Sequence, residues 1–283
     1  MARLSTGPVE YRLERCSGSA VIVFHGGHMR AGIALGEDVF TDPDHTVLVP
    51  SRPGYGRTPL RTGTSPSGFA DVTRELCDHL GIDHVAAVLG ISAGGRTAIT
   101  MAARYPEFVQ RLILENAPGF LPYPDRRTRL AAHLAFNAVT EKATWAAVRA
   151  LMRFTPAVGL RLLLRDLSTE SVGDVLSALD DEERARLIAL FSRLRSGRGF
   201  LNDLRSAPDV TSEITRPTLV IASRKDGSVP FAHAESLVSG IRRAELVESD
   251  SESHFLWFGS DYPAVADRIR RFLACDLSGP EEP

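Results

Sequence analysis

The sequence predicts an α/β fold: a mostly parallel β-sheet covered by helices and interrupted by an inserted helical segment. Three observations predict it. Up to residue 114, short apolar, β-branched runs alternate with segments of helical period, the pattern of parallel strands joined by crossover helices. From about residue 121 to 207 the strand signal stops and only helical periodicity is left. At residues 217–222 (PTLVIA) the buried-strand pattern resumes.

The elements follow in order. Residues 9–14 (VEYRLE) read as a strand, and 20–24 (AVIVF), continuously apolar, as a strand buried on both faces. Residues 46–50 (TVLVP) are the next such run, followed by a Gly/Pro-rich turn at 51–58 (SRPGYGRT). Within 67–80, Phe69, Val72, Leu76 and Leu80 fall at helical spacing. A strand at 85–90 (VAAVLG) runs into an Ala-rich helix at 93–105, and 109–114 (VQRLIL) is the strand after it. In the insertion, helices are predicted at 126–139, 141–154, 157–167 and 182–195. After the strand at 217–222 come a helix at 231–239, a short strand at 244–247 and a closing helix at 262–274, and 276–283 reads as a polar tail. The expected division is a core of residues 1–119 and 208–283, with 120–207 inserted.

Composition narrows the function classes. The chain has 283 residues, 43% hydrophobic and 24% charged, enough to bury a large core. Its net charge of −2, with arginines scattered among acids and only Lys142 and Lys225 as lysines, argues against nucleic-acid or membrane partners. No run approaches the ~18 apolar residues of a membrane span, and the first ten residues lack a signal-peptide pattern. Cys16, Cys77 and Cys275 lie far apart and match neither a disulfide framework nor a metal cluster. A cytoplasmic protein with free thiols, no metal and a small-molecule partner is expected; oligomeric state is not legible.

The chemistry centres on Gly90-Ile91-Ser92-Ala93-Gly94, a G-x-S-x-G pattern between a buried strand and a helix. That is the context of a nucleophile elbow: the tight turn strains Ser92, small neighbours relieve the crowding, and the helix start favours negative charge beside the hydroxyl. Serine needs a base. His254, in a polar loop between the last strand and last helix, would reach the carboxyl edge of the sheet, where Ser92 also emerges. His45 and His84 precede strands at the opposite edge, His79 and His233 fall on helices, and His133 lies in the insertion. The base needs an acid. Asp226, in RKDGSVP after the strand at 217–222, is the first candidate, and Glu115, ending the strand at 109–114, is the alternative. Backbone N–H groups of Gly27, in His25-Gly26-Gly27-His28, and of Ala93 are the candidate oxyanion donors. His25 reads as a loop buttress, while His28 and Trp257 are candidate substrate contacts.

With these pieces in place (HGG at 25–27, RPGYGRT at 52–58, GISAGG at 90–95, RKDGSVP at 224–230 and ESHF at 252–255), the chain resembles the α/β-hydrolase superfamily in its lid-bearing esterase, peptidase and C–C hydrolase branch. The resemblance implies an eight-stranded sheet, which the short N-terminal region here widens to six to eight strands. It also implies that residues 120–207 form a cap over the site, and that hydrolysis proceeds without metal or organic cofactor. Relatives that dehalogenate or open epoxides carry Asp at the elbow, so Ser92 implies an acyl-enzyme on an ester, thioester, amide or related carbonyl, carboxylic esters first. Where the family commonly has a Pro soon after HG, this chain has Gly27-His28-Met29, which bears on the shape of the oxyanion loop. Two alternatives stay open: a ligand-binding or signalling protein of this fold without turnover, and a cofactor-free lyase or oxygenase on the same scaffold.

Overall fold

A computed structural model describes residues 1–41 and 45–275; the predicted polar tail at 276–283 lies outside them. The strands are β1 (Ala2–Leu4), β2 (Gly7–Val9), β3 (Tyr11–Glu14), β4 (Gly18–Phe24), β5 (His45–Pro50), β6 (Val85–Ile91), β7 (Leu112–Glu115), β8 (Thr218–Ser223) and β9 (Ala244–Ser249). β1 and β2 form a separate antiparallel pair. The main sheet has seven strands in the order β3-β5-β4-β6-β7-β8-β9, and every neighbouring pair is parallel except β3 with β5.

The α-helices are α1 (Asp38–Thr41), α2 (Pro66–Leu80), α3 (Gly95–Arg104), α4 (Arg126–Phe136), α5 (Glu141–Phe154), α6 (Pro156–Leu164), α7 (Val172–Ala178), α8 (Asp181–Arg193), α9 (Gly199–Asp203), α10 (Ala232–Gly240) and α11 (Tyr262–Ala274). Side chains alternate across the sheet as the two-residue period requires. Ile22, Phe24, Leu48, Val88 and Leu114 pack with α2, α3 and α10, while Val21, Val23, Val47, Leu89 and Ile113 pack with α1 and α11. The second core continues into the helices between β7 and β8, through Trp145 and Val148 of α5 and Leu187 and Phe191 of α8. The strands β4 to β8 are buried on both faces over most of their length, which is why they read as apolar runs, whereas the edge strands β3 and β9 are half-exposed.

Several predicted boundaries shift for local reasons. Residues 9–14 are not one strand: Val9 belongs to β2, and the chain breaks at Glu10 before β3. Glu10 donates its N–H to Thr58 Oγ1 and accepts from Ser51 N, so its backbone is used across a turn. The predicted strand at 109–114 begins only at Leu112; Val109 makes a single bridge to Val85. The helix predicted from Ala93 begins at Gly95, after a 3₁₀ turn over Ser92–Gly94. The one predicted to reach residue 139 stops at Phe136, because Asn137 Oδ1 accepts from the N–H groups of Val139 and Thr140. The short helices α7 and α9 carried no distinct periodic signal.

Candidate active site

Ser92 sits at the carboxyl end of β6, with a φ of +46° that a serine adopts only under constraint. Glycines make the turn possible. A Cβ on Gly94 would lie 2.0 Å from the Phe24 carbonyl oxygen, and one on Gly90 2.6 Å from the Gly95 Cα. Gly94→Ala would drive a methyl into backbone that cannot swing away, so a loss of about 3 kcal/mol is expected in denaturant unfolding. An unchanged unfolding midpoint would contradict it.

The structure brings His254 and Asp226 to Ser92. His254 Nε2 is 3.0 Å from Ser92 Oγ, and His254 Nδ1 is 2.6 Å from Asp226 Oδ2. Asp226 is buried, and its other oxygen accepts the N–H groups of Ser228 at 2.7 Å and Val229 at 2.9 Å. The His254 backbone is fixed at both ends: its N–H donates to Leu167 O at 2.7 Å and its carbonyl accepts Asn116 Nδ2 at 2.7 Å. Asn116, with φ +44°, also accepts the Ser223 N–H on Oδ1, tying the end of β8 to the histidine loop. Leu167 O accepts the Gly227 N–H as well, and a Cβ on Gly227 would meet Ser168 backbone at 2.6 Å. The segment after α6 thus holds the acid loop and the histidine loop together. Sequence reasoning missed Asn116 and Leu167; a lone Asn after a strand and a carbonyl carry no local signature.

The loop after β4 lies against the elbow. A Cβ on Gly26 would be 3.5 Å from Ser92 Cβ, and one on Gly27 4.0 Å from Ala93 Cβ. Among the described residues the Gly27 N–H donates to no protein acceptor. His25 is fully buried: Nδ1–H donates to Gly26 O, and Nε2 accepts the Arg52 N–H. Burial, with the Arg52 charge second, holds the His25 imidazole well below its ordinary range, so it stays neutral. The Arg52 side chain donates to the carbonyls of His25 and Gly26 and pairs with both oxygens of Asp203, which also accepts Tyr55 O–H at 2.6 Å. Arg52 was visible in its motif, whereas Asp203 gave no signal.

The remaining candidates go elsewhere. His28, at φ +63°, is half-buried against Phe200 (ring centroids 3.9 Å apart), Phe136 and Trp145. Ser196 Oγ accepts Trp145 Nε1–H and shares a hydrogen bond with His28 Nδ1 at 2.7 Å. Burial lowers His28 to about 3, a neutral ring at physiological pH. Trp257 is buried in the core against Gly36, where a Cβ would lie 1.9 Å from its Nε1. Glu115 is fully buried, and neither of its oxygens has a hydrogen-bond partner, so it makes no hydrogen bond to His254. Burial raises its pKa to about 8. In the insertion, Trp145 and Met152 are buried, while Leu130, Leu134 and Phe154 point outward. Among the described residues no three His, Cys, Asp or Glu side chains group as metal ligands would, and no helix is long and apolar enough to cross a membrane.

Comparisons with known proteins agree with this architecture. Residues 19–260 match the family model described as the alpha/beta hydrolase fold. The chain is 31% identical over 273 residues to the uncharacterized hydrolase YcgS of Bacillus subtilis, covering 94% of this chain and 95% of that one. It is 28% identical over 251 residues to a 2-hydroxy-6-oxo-6-phenylhexa-2,4-dienoate hydrolase of Comamonas testosteroni, covering 82% and 80%. Among solved structures, an alpha/beta hydrolase fold protein from Nakamurella multipartita superposes with a TM-score of 0.81 at 24% identity, over 96% of this chain and 97% of that one.

Proposed function

We propose that this chain, which belongs to the alpha/beta hydrolase fold family, is a serine hydrolase acting through an acyl-enzyme on a small carbonyl substrate. The observation that carries the reading is the continuous relay from Ser92 Oγ through His254 to Asp226, with both links at hydrogen-bond distance. Asp226 Oδ2 accepts the Nδ1 proton of His254, which leaves Nε2 free to take the Ser92 proton. The serine oxygen then adds to the substrate carbonyl, and the N–H groups of Gly27 and Ala93 hold the oxyanion. Collapse expels the leaving group, protonated by His254. Water, activated by the same imidazole, attacks the ester and returns Ser92 to its alcohol.

Residues 120–207 act as a cap in this reading, since Leu167 O fixes the His254 loop and Phe200 covers Gly27. The Comamonas testosteroni relative is named for a substrate with an oxo group, which adds activated ketones to the esters, thioesters and amides to be tested. The direct test is intact-protein mass after exposure to a fluorophosphonate. Wild type is expected to gain one adduct and Ser92→Ala none; an adduct on both, or on neither folded protein, would remove the serine from its role.

A further inference from the structure

We propose that the cavity beside Ala93 is a subsite for an anionic oxygen group, carboxylate or phosphate, carried by the substrate; the proposal rests on the serine-hydrolase reading and deepens it. The cavity is about 320 Å³, the scale of a small-molecule pocket, and Ala93, Arg52, Arg96, Asp203 and Arg205 line it. Ala93, whose N–H is one of the two proposed oxyanion donors, forms part of its wall, and the subsite is placed on that shared residue.

Three guanidinium groups, Arg52, Arg96 and Arg205, line the cavity against one carboxylate, Asp203. Arg52 and Asp203 are committed to each other in a two-pronged pair, and Tyr55 takes up the rest of that carboxylate. Arg96 feels the Asp203 charge without pairing with it, and the Arg205 side chain is exposed. The Arg96 side chain is half-buried and donates only to neutral carbonyls, to Gly119 O at 3.2 and 3.1 Å and to Arg205 O at 3.3 Å. Among the described residues no carboxylate pairs with it, and the Arg205 side chain makes neither a hydrogen bond nor an ion pair. A guanidinium taken part-way out of water without an anion is costly. Burial lowers the Arg96 pKa and outweighs the opposing pull of the Asp203 charge.

The backbone adds to the positive field. Ser65 and Pro66 at the start of α2, Ala93 in the 3₁₀ turn before α3, and Arg96 and Thr97 in the first turn of α3 all line the cavity. Two helix amino ends therefore border one space, where the helix dipoles favour an anion. Forked guanidinium donors suit the planar or tetrahedral oxygens of a carboxylate or phosphate.

The test separates binding from turnover. Glutarate and inorganic phosphate are titrated by calorimetry into wild type, Ser92→Ala, Arg96→Gln and Arg205→Ala. Arg205 is exposed and makes no protein bond with its side chain, so its variant is the safeguard if Arg96→Gln misfolds. Wild type and Ser92→Ala are expected to bind one of the two anions, and either arginine change to weaken it about tenfold, as loss of one charge-assisted contact implies. Glutarate as the tighter ligand assigns a carboxylate, phosphate as the tighter a phosphoryl group. In kinetics, the ratio of kcat/KM for a nitrophenyl hemiglutarate over the matching neutral butyrate should fall about tenfold in Arg205→Ala. No binding of either anion, binding indifferent to both arginines, or an unchanged ratio would overturn the subsite. Arginine-dependent binding to a wild type inert toward every ester would instead sink the serine-hydrolase reading and keep the anion site.

Discussion

Asp226→Asn is expected to lower kcat on the order of 10⁴-fold in a protein that still folds. The two carboxylate oxygens do separate work, which makes this substitution informative. Oδ1 accepts the N–H groups of Ser228 and Val229, and an asparagine oxygen can keep both bonds, so the loop is held. Oδ2 accepts from His254 Nδ1 at 2.6 Å, and an amide nitrogen in its place is a donor. His254 would have to turn its lone pair to Nδ1 and carry its proton on Nε2. In that tautomer it cannot accept the proton of Ser92, although the 3.0 Å contact survives. The loss should therefore fall on kcat, with KM little changed, and fluorophosphonate labelling should slow in parallel. Glu115→Gln is the contrast: its carboxyl is buried and makes no hydrogen bond to the histidine, and turnover is expected to persist. Near-normal kcat in Asp226→Asn together with collapse in Glu115→Gln would reverse the assignment of the acid.

How much of this was legible depends on whether a residue's job is local. The elbow was, because a buried strand, a Gly-flanked serine and a helix start are contiguous in sequence. His254 and Asp226 were legible by place in the β–α order, since loops after β8 and β9 must emerge on the same edge as Ser92. Residues whose partners are distant in sequence gave nothing: Asp203 matters only because Arg52 and Tyr55 reach it across about 150 positions, and Leu167 acts through its carbonyl. Trp257 was misread for a related reason. Its position three residues after His254 suggested the pocket, but Phe255 and Leu256 carry the chain into a 3₁₀ turn that buries the indole beside Gly36. The seven strands fall within the predicted six to eight, and the errors lie at boundaries where a side chain such as Asn137 captures backbone donors.

Glu115 supplies the second large effect, on stability rather than rate. It ends β7 in the middle of the sheet, with its carboxyl near the Trp257 indole, Glu37 and Tyr262. Both of its oxygens and the Trp257 N–H lack hydrogen-bond partners, and Glu37 spends its charge on Arg12. The Trp257 indole alone among its neighbours favours an ionised carboxylate, and burial outweighs it. Burial therefore holds it protonated up to about 8, against an ordinary 4.5. The folded chain keeps a proton that the unfolded chain releases, so the contribution is full below about pH 4.5 and lost as the pH climbs through 8. That interval is worth about 5 kcal/mol for a fully buried group. Glu115→Gln cannot ionise, and the difference between its unfolding free energy and that of wild type cancels the other titrating groups. Urea unfolding at pH 5, 7 and 9 should show the variant gaining on wild type by several kcal/mol across the series, whatever fixed cost the amide carries at pH 5. Parallel curves would mean that Glu115 is ionised in the folded protein, and a buried cation or water would then have to be sought beside it.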